Sequence, residues 1–109
     1  MSNSKLISYI TSDFQTKSDM KVGEVEWEKI MNKNFDKFKR AGAVRQTVTQ
    51  IWNKEVALRL DHLWEYRDEK SFVECQKIFR EAEIEFKTKT GIEWKVFSNR
   101  GVIIYDVVY

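Results

Sequence analysis

The spacing of the hydrophobic residues switches between alternating and helical several times along this chain, and these switches constrain its fold more than any single motif. Residues 5–14, KLISYITSDF, alternate and predict a first strand. Residues 18–42 carry apolar side chains three and four positions apart, which predicts one helix that ends at Gly42 in a left-handed cap. The apolar stripe of this helix comprises Trp27, Ile30, Met31, Phe35, Phe38 and Ala41.

Two more alternating segments follow, joined by a polar hairpin turn at residues 53–55. Residues 44–53 are rich in β-branched side chains and predict a second strand, with Val44, Val48 and Trp52 on one face. Residues 56–66 predict a third strand, and its apolar face carries Val56, Leu58, Leu60, His62, Trp64 and Tyr66. The only histidine of the chain therefore lies among apolar side chains.

A second helical stripe follows the third strand and ends at Gly91. Asp68 or Ser71 can cap its start, and Ser71 with Glu74 has the spacing of a capping box. The stripe comprises Phe72, Cys75, Phe79, Ala82 and Phe86, with Ile78 beside it. The last segment predicts a short strand around Trp94 and Val96, a turn at residues 98–101 and a long closing strand.

The resulting element order is β, α, β, β, α, β with a small extra strand. With right-handed connections, this order predicts an α+β, ferredoxin-like domain in which two helices cover one face of a four-stranded antiparallel sheet. A chain of 109 residues is long enough for one core and too short for two. We therefore expect residues 1–109 to form a single domain.

The closing segment, GVIIYDVVY, is apolar on both of its predicted faces, with Asp106 as the sole charge. Because the helices can cover only one face of the sheet, the second apolar face predicts a partner sheet from an identical chain. The alternative is that Tyr105 and Tyr109 simply tolerate water. In the homodimer, Arg45, Arg59 and Asp61 would lie on the face opposite the helices, as ion pairs across the dimer or as a polar lumen for a small anion.

Composition bears on partners and location. The net charge is only +2 and no block of like charges occurs, so we expect neither a nucleic-acid partner nor a membrane partner. No long apolar run or signal-peptide core is present, and the single Cys75 cannot form an intrachain disulfide. A cytoplasmic location is therefore expected. The charged helix faces are interpreted as solvated surface, and the residues near His62 do not favour a metal site.

Two segments resemble those of a known superfamily. EYRDEKSF, residues 65–72, is similar to the strand-to-helix junction of the dimeric α/β-barrel superfamily, and VIIYDVVY, residues 102–109, resembles its closing strand. This superfamily includes antibiotic-biosynthesis monooxygenase-like, NIPSNAP-like and stress-responsive barrel domains. The resemblance implies a dimeric α/β barrel with a pocket between the sheet and the helices of each subunit. The pocket would be lined by His62, Trp64, Tyr66, Trp27, Met31, Phe72, Cys75 and Phe79.

The haem-degrading members of the superfamily use an asparagine on the first strand, a tryptophan at the end of the third and a histidine on the second helix. Here Ser8, Ile10 and Thr11 occupy the first strand, Tyr66 aligns with the tryptophan, and the second helix has no histidine. The resemblance therefore disfavours haem degradation, and no cofactor is predicted.

Two functions remain open for the pocket. In a cofactor-independent monooxygenase-like enzyme, His62 would transfer a proton while Trp64 and Tyr66 orient a small aromatic or polyketide-like substrate. In a non-catalytic ligand-binding or stress-type barrel, His62 and the tryptophans would serve as core residues, and Cys75 as a small buried hydrophobe. RNA binding shares the element order, but the third strand lacks the glycine and aromatic pattern of RNA recognition domains.

Overall fold

The computed structural model describes residues 4–54 and 57–109, which contain four strands and three helices. In chain order they are β1 (Leu6–Phe14), α1 (Lys17–Lys33), α2 (Phe35–Ala41), β2 (Ala43–Gln50), β3 (Arg59–Tyr66), α3 (Glu69–Thr90) and β4 (Trp94–Val102). The predicted positions of Glu55 in the hairpin turn and of Val56 on the third strand lie outside the described residues.

The four strands form one antiparallel sheet in the order β2-β3-β1-β4. His62 lies opposite Ile10 on one side and Val48 on the other, in a row that points toward the helices. Burial alternates along β3, since Leu60, His62, Trp64 and Tyr66 are buried while the residues between them are more exposed. The ferredoxin-like fold and the predicted faces of the third strand are thus confirmed.

The prediction of one continuous first helix is wrong, because the helix is interrupted at Asn34, between α1 and α2. Its side-chain Nδ2 donates to the carbonyl oxygen of Ile30 at 2.9 Å, and its backbone N–H donates to the same oxygen at 3.1 Å. The break rotates the following residues, so that Phe38 is buried whereas Phe35 is 61% exposed. Phe35 therefore does not belong to the apolar stripe.

The caps follow local chemistry. Thr16 is the N-cap of α1, and its side chain accepts a hydrogen bond from the N–H of Asp19. Asp68, rather than Ser71, is the N-cap of α3, and its side chain accepts a hydrogen bond from the N–H of Ser71 at 2.8 Å. Gly42 and Gly91 end α2 and α3 with positive φ angles of 104° and 66°, as predicted.

The last segment differs from the prediction in two ways. Residues 98–101 form no turn, because β4 runs straight through them and pairs with β1 from Trp94 to Val102. The strand then ends, and residues 103–109 are not strand. Val102 pairs with Leu6, the first residue of β1, and the N–H of Ile103 donates to the carbonyl oxygen of Lys5 at 3.0 Å, so β4 ends where β1 begins. Ile104, Tyr105 and Tyr109 are left almost fully exposed.

The sheet face opposite the helices carries charged and aromatic residues. Arg59 forms a two-pronged hydrogen-bonded ion pair with Asp13, at 2.7 and 3.1 Å, and this pair lowers the pKa of the Asp13 carboxyl. These bonds lie within one chain, and the ion pairs across a dimer or the polar lumen expected from the sequence stay predictions. Tyr9 and Phe97 on the same face are each more than half exposed. Among the described residues, no helix is long and apolar enough to cross a membrane.

Candidate functional site

A cavity of about 400 Å³ lies between the helix-facing side of the sheet and helices α1 and α3. The sheet contributes chiefly Ile10, Leu60, His62, Trp64 and Trp94, and the helices contribute chiefly Trp27, Met31, Phe79 and Phe86. A volume of this size suits a small organic molecule and far exceeds that of one water molecule.

Simple periodicity positions these side chains. Alternation along β3 places His62 and Trp64 on one face, and a spacing of four residues places Trp27 and Met31 on one side of α1. Gly23 also lines the cavity. A Cβ atom at this position would lie 2.8 Å from the Phe14 ring. The missing side chain lets α1 approach β1 closely.

His62 is the most unusual group of the site. Its side chain is 92% buried, its ring meets the Trp27 ring edge-on at 6.0 Å, and its Nδ1 has no hydrogen-bond partner among the described residues. Burial lowers the pKa of His62 to about 4, and the charge of Asp61 opposes this only in part. The imidazole is therefore neutral at pH 7.

Three other lining residues also bury polar atoms without partners in the described part of the chain. They are the indole nitrogens of Trp27 and Trp64 and the side-chain nitrogen of Gln46. A buried polar group without a partner costs roughly 1–3 kcal/mol.

The structure brings together five of the eight residues that the resemblance assigned to the pocket. His62, Trp64, Trp27, Met31 and Phe79 line the cavity. The other three, Tyr66, Phe72 and Cys75, lie outside its lining, toward the end of the sheet nearest α2 and the start of α3.

Tyr66 and Cys75 are fully buried in the core beside Trp64, and Phe72 packs edge-on against Tyr66 at 5.4 Å. Arg100 covers the Phe72 ring at 4.6 Å from its centre. Burial raises the pKa of the Cys75 thiol to about 11, so it is protonated at neutral pH. Burial also raises the pKa of the Tyr66 hydroxyl above its usual range. Neither group is ionised at neutral pH.

The pocket predicted from the sequence did not include several residues that line the cavity. Phe86 could have been predicted, because it continues the apolar stripe of Phe79 along α3. Trp94 lies opposite Phe14 in the sheet, at the end of β1. No pattern in the sequence indicated the three acidic residues of the lining, because their helix faces were interpreted as solvated surface. The structure places Glu24, Glu28 and Glu83 in the cavity lining.

Metal ligands do not cluster in the described structure. Over residues 4–54 and 57–109, no group of three His, Cys, Asp or Glu side chains is arranged to hold a metal ion.

A family model described as "Domain of unknown function (DUF6974)" matches residues 3–103 of this chain. The chain belongs to the DUF6974 family. No curated protein matches the sequence. The likeness to solved structures concerns the fold.

Three solved structures share the DUF6974 fold seen here. A dimeric ferredoxin-like protein from an uncultured marine organism is 22% identical, with a TM-score of 0.85 over 96% of this chain and 99% of its own. A Streptomyces coelicolor monooxygenase in complex with nanaomycin D is 9% identical, with a TM-score of 0.64 over 98% and 94%. A proposed antibiotic biosynthesis monooxygenase from Caulobacter crescentus CB15 is 12% identical, with a TM-score of 0.63 over 95% and 94%. The predicted ferredoxin-like fold is thus confirmed by these likenesses.

Proposed function

We propose that this DUF6974 protein binds a small planar aromatic molecule in the cavity beside His62, and that it acts as a cofactor-independent monooxygenase on such a molecule. The observation that carries the proposal is an aromatic cavity of about 400 Å³ whose lining includes the neutral imidazole of His62. The likeness to a monooxygenase that holds nanaomycin D supports the same class of ligand. The proposal involves no metal, haem, nucleic acid or membrane.

A hydroxynaphthalene provides a balanced model reaction. One molecule of 1-naphthol and one of dioxygen give 1,4-naphthoquinone and water, so the substrate itself supplies the electrons. In this proposal, a ring nitrogen of the neutral His62 accepts a hydrogen bond from the phenolic hydroxyl. Because burial lowers the pKa of His62 to about 4, full transfer of the phenolic proton to the imidazole is unfavourable. His62 therefore orients and polarises the hydroxyl.

The depressed pKa of His62 also favours a second candidate, a barrel that binds the aromatic molecule without chemistry. The two are separated by adding 1-naphthol to the full chain and measuring oxygen consumption, quinone absorbance and the indole N–H signals in NMR spectra. Trp27, Trp64 and Trp94 line the cavity, whereas Trp52 is 90% exposed and serves as an internal control. Shifted signals with turnover support the enzyme, and shifted signals alone support the binding protein. If none of the cavity tryptophans shifts, both candidates fail.

Replacing His62 with phenylalanine is expected to weaken 1-naphthol binding by about 3- to 10-fold, because one hydrogen bond is lost while the ring volume is kept. Calorimetric titration measures the change, and Trp52→Phe, at an exposed position, is the matched control. Equal affinity of the His62→Phe variant and the unaltered protein would contradict the role of His62. Unfolding of His62→Ala with a stable His62→Phe would show that His62 also fills space in the core.

We further propose that two copies associate through the sheet face opposite the helices. Tyr9 and Phe97 are exposed there, and the apolar segment 103–109 adjoins this sheet. The described dimeric state of the marine ferredoxin-like protein supports this arrangement. An exposed aromatic patch of this kind is typical of an interface between subunits.

The Phe97→Asp variant is expected to be monomeric, because a buried unpaired charge in the interface is costly. Light scattering after size-exclusion chromatography measures the mass. Val73→Asp is the control, since Val73 is 51% exposed on α3, away from that face. A Phe97→Asp protein that stays dimeric, or a Val73→Asp protein that dissociates, would contradict the proposed interface.

A further inference from the structure

The charged side chains that line the cavity, among the described residues, are all acidic. Within this part of the chain the lining includes the carboxylates of Glu24, Glu28 and Glu83 but no lysine or arginine. His62 adds no positive charge, because burial keeps its imidazole neutral at pH 7. The cavity therefore repels an anion and attracts a cation.

Two of these carboxylates lack a neutralising partner. Glu24 pairs with Lys21 at 3.7 Å, whereas Glu28 and Glu83 make no ion pair within residues 4–54 and 57–109. Burial alone raises the pKa of Glu83, and no nearby cation offsets it. Both residues are exposed to solvent while they line the cavity, so a positively charged ligand in the cavity could pair with them.

The helices place these groups beside the aromatic wall. Glu28 adjoins Trp27 on α1, and Glu83 lies between Phe79 and Phe86 on α3, which packs against α1. Trp27 meets Phe86 nearly at right angles at 6.2 Å, and Phe86 meets Trp94 in the same way at 4.9 Å. The faces of aromatic rings carry partial negative charge and attract cations.

We propose that the ligand of this cavity is an organic cation, an aromatic body that carries an ammonium group held by Glu28 and Glu83. This inference rests on the proposed function, because it takes the same cavity as the binding site, and it adds the charge of the ligand. Two features point to such a ligand there: the aromatic lining of the cavity, and the carboxylates of Glu28 and Glu83, which make no ion pair within the described residues.

Three probes of equal ring size test the charge. They are 2-naphthylmethylamine, which is an ammonium at pH 7, 2-naphthalenemethanol, which is neutral, and 2-naphthoate, which is an anion. Calorimetric titration of the full chain is expected to give at least ~10-fold tighter binding of the ammonium than of the alcohol, and weaker binding of the carboxylate. The indole N–H signals locate the probe, with Trp52 as the signal that does not move.

Two isosteric substitutions identify the groups that sense the charge. The double variant Glu28→Gln, Glu83→Gln is expected to bind the ammonium about 10-fold more weakly and the alcohol within about 2-fold of the unaltered protein. Glu81→Gln is the control, because Glu81 lies on the same helix as Glu83 but does not line the cavity. An equal loss for the ammonium and the alcohol would indicate a change of shape and would overturn the inference.

The outcomes separate the two proposals. If the alcohol or the carboxylate binds at the cavity as tightly as the ammonium, the inference about charge is wrong while the aromatic binding site stands. If none of the three probes moves the signals of Trp27, Trp64 or Trp94, both the binding site and its charge preference are wrong. Ammonium binding that is unchanged in the double variant also overturns the assignment of Glu28 and Glu83.

Discussion

Replacing Gly42 with alanine is expected to lower the free energy of unfolding by about 3 to 5 kcal/mol, the sum of a backbone cost and a packing cost. Gly42 has a φ angle of 104°, which side chains with a Cβ atom rarely adopt. A Cβ atom there would also collide with the hydroxyl of Ser71 and lie 2.5 Å from its Cβ atom. Ser71 cannot withdraw easily, because its backbone N–H and hydroxyl both donate to the cap residue Asp68.

Gly91→Ala provides the matched control for Gly42→Ala. Gly91 also ends a helix at positive φ, but no atom lies within 4 Å of the added Cβ atom. This substitution is therefore expected to cost only about 1 to 2 kcal/mol. Urea denaturation of both variants measures the difference, and equal costs would show that the contact with Ser71 has no energetic weight. Adding Ser71→Gly to Gly42→Ala is expected to recover the steric part.

Replacing His62 with phenylalanine is expected to remove about 3 kcal/mol of acid sensitivity. The pKa of His62 is about 4 in the folded protein and about 6.5 when the chain is unfolded, so the unfolded chain takes up the proton first. His62 therefore destabilises the fold progressively as the pH falls from about 6.5 to about 4, and has no such effect above this window.

Denaturant unfolding of the unaltered protein and of His62→Phe, at several pH values between 7.5 and 4, measures this effect. The carboxylates titrate in both proteins, so the difference between the two curves isolates the histidine. We expect the His62→Phe variant to gain stability relative to the unaltered protein as the pH falls. Parallel curves would mean that His62 is hydrated or hydrogen-bonded in the folded protein.

The faces of β1 and β3 and the stripe of α3 were predictable because each depends on a local period. Alternation places Leu60, His62 and Trp64 on one face wherever the strand lies in the sheet. Gly42 and Gly91 likewise end their helices for a local reason, since glycine adopts positive φ at little cost. The spacing of four and then three residues along Cys75, Phe79 and Ala82 similarly predicted the buried side of α3.

The break at Asn34 and the end of β4 were not predictable from local periods. An asparagine in a helical stripe breaks the helix only where its side chain finds a backbone partner, here the carbonyl oxygen of Ile30. The segment after Val102 has a strand-like pattern, but Val102 already pairs with Leu6, the first residue of β1. Whether a pattern becomes a strand depends on how far the neighbouring strand extends.

By itself, therefore, the sequence determined the element types, the buried faces and the position of His62 beneath the helices. Only the tertiary structure decided which buried aromatics line a cavity and which fill the core, because that depends on how closely each helix approaches the sheet. It also decided the charge of the site, since Glu28 and Glu83 reach the cavity only through the packing of α1 against α3. Local periodicity carries no information about the distance between elements.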